Sequence, residues 1–272
     1  MHTVKAFGAV VGMLPAVLGF PPVQSLVAVA LKGGEVSCVL RLDLADATGP
    51  GGVEQLVHAI KGGKADGVIA VVVSEDAARD LALSAAIQDA LDGLSAGVRV
   101  VGAVVVDRVQ EGGRWRCADG CGASGAVSDP KSSVMAAAAV AEGRRLYGSR
   151  DEVVASVAVD GARAAAVARL MTGAGGPVGD VAAAVRGVVA VARRVSEGAA
   201  LSDEDLAGVG AVLTDVRVRD VLFTLVDCEA LAGAAEGLWL QVARVVGWPF
   251  RGEALCLLAH AGYVRGDGVL AG

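Results

Sequence analysis

VRVVGAVVVDR, residues 98 to 108, is the stretch whose reading decides the fold. It is valine-dense, and it is bounded by Ala96-Gly97 before and Gln110 to Gly113 after. Strand length and β-branched content fit a strand buried on both faces better than a turn of buried helix. Working outward, DGVIAVVVS (66 to 74) repeats the pattern, and LVAVAL (26 to 31) and VSCVLRLDL (36 to 44) flank Lys32-Gly33-Gly34-Glu35, the turn of a β-hairpin. RWRC (114 to 117) follows the spine strand across a Gly-rich turn. Between strands, Val53, Leu56, Val57 and Ile60 share one side of a helix over 53 to 61, and a second helix is expected from about Glu75 to Leu94. The order β-β-α-β-α-β-β predicts an α/β mixed sheet of about five strands. Its central strands 36 to 44, 66 to 74 and 98 to 108 are expected to be parallel neighbours. MLPAVLGF (13 to 20) reads as a short helix with Pro15 in its first turn.

Beyond Asp119 the text becomes Ala-rich and Arg-dotted, which predicts two parts: an α/β domain over 1 to 120 and a helical domain over 121 to 272. Helices are expected at 132 to 146, 150 to 158, 161 to 172, 178 to 197, 203 to 214, 216 to 227, 229 to 247 and 251 to 263. Gly252 to Ala271 reads as one tetratricopeptide-like hairpin, with Gly262 and Gly266 at its turn. Arg219-Asp220 lies in an otherwise apolar helix, where an inward charge requires an acidic partner from a neighbouring helix.

The 272 residues are 54% hydrophobic, 20% charged and only 3% aromatic, so the interior must be filled by Ala, Val and Leu. A net charge of -6 leaves no electrostatic footprint for nucleic acid, and none is expected as a partner. Five scattered cysteines suggest a reducing, cytoplasmic setting. Ala6 to Leu31 is uncharged after Lys5 and imitates an export signal, but Pro15 and Pro21-Pro22 interrupt it, so no membrane span is expected.

No specific nucleophile, metal or phosphate signature occurs. Cys117 and Cys121 lack a second Cys or His pair for zinc, so no metal and no cofactor is expected; the two thiols are ordinary loop residues or a reducible pair. Gly122-Ala123-Ser124-Gly125 is not a nucleophile elbow, and His260 sits in an apolar helix. Gly49, Gly51 and Gly52 lie in a loop between a strand end and a helix start, where backbone N–H groups suit an anion, although the loop lacks both phosphate-binding patterns. With parallel strands, Asp43, Ser74 and Asp107 fall at neighbouring carboxyl ends, the ligand-binding rim of open α/β sheets. The competing reading is that they cap the helices and turns that follow.

LGFPPVQSLV (18 to 27), LRLDL (40 to 44), GRWRC (113 to 117), Cys121, SRDEV (149 to 153), VRD (218 to 220) and GDGVLA (266 to 271) occur in this order. Together they resemble an actinobacterial family catalogued as domain of unknown function 4192. The resemblance implies an N-terminal α/β part, a cysteine-bearing loop and a helical C-terminal part, and brings no catalytic residue. Departures from the pattern are Pro21 where His or Arg is usual, Ala45 where Pro is typical, and Cys121 in place of a Cys-Cys-Pro run. The family pattern commonly runs on past GDGVLA into another helix, so the last helix is expected to be incomplete or supplied by a neighbour.

Two functions fit. One is a non-catalytic protein-interaction or scaffold module, with a protein partner or second copy on the helical part. The other is a small-ligand binder or enzyme acting on an anionic, phosphate-bearing molecule at the carboxyl ends of the parallel strands.

Overall fold

The computed structural model describes residues 7–76, 98–118, 120–141, 144–266 and 268. The chain forms two compact units, Met1–Arg150 and Asp151–Gly272. Unit one is built on a six-stranded mixed sheet of β1 (Ser25–Lys32), β2 (Glu35–Asp43), β3 (Gly67–Val73), β4 (Arg99–Val106), β5 (Arg114–Cys117) and β6 (Ser124–Ala126). Their order across the sheet is β2-β1-β3-β4-β5-β6. Among the described residues β3 and β4 pair in parallel, and the other strand pairs are antiparallel.

The expected side-by-side placement of strands 36 to 44 and 66 to 74 is therefore corrected. β2 runs in the same direction as β3, but β1 lies between them, paired antiparallel to both. The reason is apolarity: Leu26 to Ala30 are completely buried, whereas β2 is exposed or half-buried throughout. A strand with no polar face belongs in the sheet interior, where both rows of its backbone groups are paired.

Alternation divides the valines between two layers. Val27, Val29, Val71, Val73, Val104 and Val106 pack under helix α1 (Phe7–Leu18). Leu26, Ala28, Val68, Val72 and Val105 face Val53, Leu56, Val57 and Ile60, the apolar side of the expected helix, which runs Gly52–Gly62. A single turn, α2 (Leu44–Ala47), precedes that helix, α3. The helix expected from Glu75 to Leu94 falls almost wholly outside the described residues.

Helix α1 is longer than its sequence suggests, and Pro15 sits well inside it rather than in the first turn. A proline there removes one helical hydrogen bond. Burial of Phe7, Val11, Leu14 and Leu18 against the valine layer offsets that loss. Residues beyond 120 also belong to unit one: β6 completes the sheet, and α4 (Val134–Ala141) contacts α1.

Unit two is helical: α5 (Arg150–Ser156, with its first residue at the unit boundary), α6 (Gly161–Leu170), α7 (Val181–Ser196), α8 (Asp203–Val212), α9 (Val216–Leu222), α10 (Ala232–Val245) and α11 (Phe250–Val264). Trp239, Leu206, Leu222, Leu238 and Leu257 centre its core. Arg219 finds the acidic partner that its position demands, Glu253 on α11 at 3.0 Å, and also pairs with Asp220. Asp160, Asp180 and Asp215 cap α6, α7 and α9, and Ser202 with Asp205 forms a capping box at α8. Asp215, buried at 6% exposure, accepts from the Arg217 side chain and from the Val178 N–H at 2.7 Å, tying the approach to α7 onto the start of α9. No helix among the described residues is long and apolar enough to cross a membrane.

Two outcomes test this packing. A Cβ on Gly102 would lie 2.4 Å from the Phe7 ring, so Gly102→Ala is expected to cost about 1–3 kcal/mol in urea unfolding, with Phe7→Leu recovering part of it. Unchanged stability would mean that α1 does not rest on that strand. The Arg217 guanidinium, then the Val178 N–H, hold the Asp215 carboxyl far below the usual carboxylate range. A depressed folded-state value stabilises the fold at pH values above the unfolded one. The stability gap between wild type and Asp215→Asn is therefore expected to stay constant above about pH 5 and to narrow below about pH 4. A gap independent of pH would remove the charged Asp215 from the fold's stabilising contacts.

Candidate functional site

The sheet has one rim where the carboxyl ends of β2, β3 and β4 meet the amino end of β1. Asp43 is in register with Ser25, Ser25 with Val73, and Val73 with Val106, which places Asp43, Ser74 and Asp107 along that edge. They do not converge. Asp43 and Asp107 stand three strand spacings apart, roughly 14 Å. Alternation also puts Asp43 on the α1 side and carries Ser74 and Asp107 to the α3 side.

Each of the three has local work. Asp107 accepts from the Arg114 N–H at 2.7 Å and closes the β4–β5 turn, with Arg108 beside it. Ser74 is buried, and its Oγ accepts from the Asp76 N–H. Asp43 precedes α2 without capping it and pairs with Arg41 instead.

The glycine loop is equally committed. A Cβ on Gly52 would fall 2.1 Å from the Asp46 carbonyl oxygen, and Gly51 holds a left-handed conformation at φ +80° as the residue before α3. Gly49 donates its N–H to Asp46 O and accepts from Gly52 N–H. The loop closes on itself around the backbone of Asp46, which engages the Gly49 N–H and crowds the Cα of Gly52.

Sequence reasoning underweighted two features of this rim. The first is a polar cluster on the α1 side. Arg41, with its side chain 14% exposed, donates from Nε to Ser25 Oγ at 2.9 Å, pairs with Asp43, and lies over the Phe20 ring at 5.7 Å. Ser25, fully buried, donates to Val23 O at 2.6 Å, and Gln24 accepts from the Leu44 N–H in a left-handed conformation at φ 42°. This cluster fastens the LGFPPVQSLV turn to the LRLDL strand, two phrases about twenty residues apart. Alternation in LRLDL was the available signal, but nothing in the text says which serine Arg41 meets.

The second is a cavity of about 610 Å³ on the same side of the sheet. Ala16 and Ala136, buried, and Pro15 and Pro21 supply apolar wall; Tyr147 and the exposed Lys131 and Glu111 stand with them. The Tyr147 N–H donates to Gly19 O, holding segment 146–148 against the α1 exit. Asp129 also lines it, its Oδ1 accepting from the Lys131 N–H at 3.0 Å.

These features lie within the span of a single family. A family model described as Domain of unknown function (DUF4192) matches residues 8–272. The chain belongs to the DUF4192 family. Neither the curated proteins nor the solved structures contain a match. The family assignment agrees with the expectation raised by the ordered phrases, and two of those phrases, 18 to 27 and 40 to 44, are the ones that the Arg41 cluster joins in this DUF4192 chain. Elsewhere in it, Cys117 is buried with its thiol toward Ala103 O and Cys121 is exposed. No group of three or more His, Cys, Asp or Glu side chains suited to a metal ion occurs among the described residues. His260 is half-buried, edge-on to Phe223 at 4.9 Å.

Arg41→Met is expected to lower stability by about 1–3 kcal/mol, since it strips charge-assisted bonds from the Ser25 and Asp43 oxygens. Arg41→Lys should recover only part, because an ammonium does not reproduce the guanidinium fork. Chemical denaturation measures both, and an Arg41→Met protein as stable as wild type would show that the cluster does not hold the turn.

Proposed function

We propose that this protein binds a small molecule in the cavity at the sheet rim. The observation that carries the reading is the cavity itself. Its volume of about 610 Å³ lies inside the range of ligand pockets, about 300–1,000 Å³, and it combines apolar walls with a few polar groups. Its place supports the same reading: Val109, Gln110 and Glu111, just past the carboxyl end of β4, form one side. Open sheets take ligands beyond the ends of parallel strands. The site residues are then those of the cavity. Asp43, Ser74, Asp107, Gly49, Gly51 and Gly52 shape the neighbouring backbone, so a phosphate held by the glycine loop forms no part of the proposal.

The helical unit supports a second role, protein interaction, through exposed Trp248 (74%) and Tyr263 (76%) at the two ends of α11. Small residues Ala254, Ala261 and Gly262 on the buried side of α11 suit the first arm of a tetratricopeptide-like hairpin. The second arm falls almost entirely outside the described residues. Cysteine usage favours a cytoplasmic setting for both roles.

Filling the cavity tests the main reading. Ala136→Leu and Ala16→Leu place methyl groups into its wall, and ligand taken up by wild type in a thermal-shift screen of small molecules is expected to be lost in both. A ligand at one hundred times its Kd raises wild-type stability by about 2.7 kcal/mol. A screen in which wild type and filled variants respond identically would refute the cavity as a binding site.

A further inference from the structure

We infer that the cavity selects a zwitterion with an apolar tail, of the α-amino-acid or short apolar-peptide class. This rests on the reading of the cavity as a binding site and names what it takes. The buried and the exposed parts of the lining differ in chemistry. Ala16, Val109 and Ala136 are buried at 1%, 4% and 4% exposure and present only methyl and methylene surface. Pro15, Pro21 and Leu146 extend that surface outward. A ligand must bring an apolar body of matching size, because such walls offer no hydrogen bond in exchange for lost hydration.

The charged groups stand apart from this floor. Lys131 and Glu111 are both exposed, and they line the cavity from different segments, the 3-10 turn Pro130–Ser132 and the β4–β5 turn. Among the described residues, neither forms an ion pair with the other or with any other side chain. Asp129, the other carboxylate in the lining, accepts the Lys131 N–H at Oδ1 and keeps its negative charge beside Glu111. One cavity is thus lined by an ammonium and two carboxylates that form no ion pair with one another. A simple anion would satisfy Lys131 and meet repulsion from Glu111 and Asp129; a simple cation would satisfy the carboxylates and leave Lys131 without a counter-charge. A head group bearing both charges satisfies both. The free ends of an amino acid or a short peptide supply them, with the side chain as the apolar body.

Isothermal titration calorimetry of the full chain with L-leucyl-L-leucine, its N-acetyl form, its C-terminal amide and the doubly capped form tests this. The free dipeptide is expected to bind, and each single cap to weaken binding tenfold or more. Lys131→Met should abolish discrimination between acid and amide, and Glu111→Gln discrimination between amine and N-acetyl. Both positions are exposed, so the fold is retained, which circular dichroism verifies. If doubly capped dipeptide binds as well as the free one, the zwitterion class is overturned and the cavity remains a ligand site. If no form binds and the small-molecule screen above is also empty, the binding-site reading itself falls.

Discussion

Everything in the sheet unit follows from the pairing of β1 on both of its edges. Its segment Leu26 to Ala30 has no polar side chain and no exposure, so at a sheet edge it would leave a row of backbone donors and acceptors beside apolar surface. Insertion between β2 and β3 pairs both rows at once. It also drives β2, with its exposed amino-terminal half and a bulge near Ser37, to the edge that such a strand tolerates. The same insertion brings Ser25 to the rim beside the carboxyl end of β2, which is how a buried serine comes to meet Arg41.

That placement organises the α1 side of the sheet. The chain leaves α1 at Gly19, turns through Phe20-Pro21-Pro22 and enters β1 at Ser25; the turn is held by Phe20 beneath Arg41 and by Ser25 beside it. Pro21, fixed by that turn, becomes wall for the cavity, whose other sides come from α1, the β4–β5 turn and segment 146–148. The rim carries paired charges, and the cavity lining carries charges that do not pair with one another. Arg41 and Asp43 neutralise each other, as do Asp107 and Arg108, whereas Lys131 and Glu111 do not. The helical unit shows the first pattern on a larger scale: Asp215 with Arg217, Asp205 with Arg194 and Glu253 with Arg219 spend their charge on fixing helix ends and helix pairs. Such pairs engage Arg163, Arg194, Arg217, Arg219 and Arg265 of the arginines in that half.

Composition explains why the layers approach so closely. With few aromatic residues, the interior is filled mainly by Val, Ala and Leu, and in the α1 layer the Phe7 ring is admitted by the missing side chain of Gly102 and meets the buried Trp115 edge-on at 5.7 Å. Small-residue packing of this kind leaves little freedom for substitution at the contact points.

Local pattern determined much of this protein from sequence alone. Valine runs bounded by turn residues marked β3 and β4, the Gly33-Gly34 turn marked the hairpin, and apolar spacing placed α3 and most helices of the second unit to within a few residues, because these signals depend on neighbours in the chain; the helix expected at 216 to 227 is α-helical only to Leu222 and continues as a 3-10 turn, Phe223–Asp227. Strand order is different. Whether β2 or β1 lies beside β3 depends on which strand gains more from burial on both edges, a competition between segments that no single segment encodes. The candidate site shares that gap: Asp43, Ser74 and Asp107 lie at strand ends, but face and spacing separate them. The cavity was invisible because its wall joins residues as distant as Pro15 and Tyr147, and only tertiary packing, by excluding side chains from the space between them, creates an empty volume.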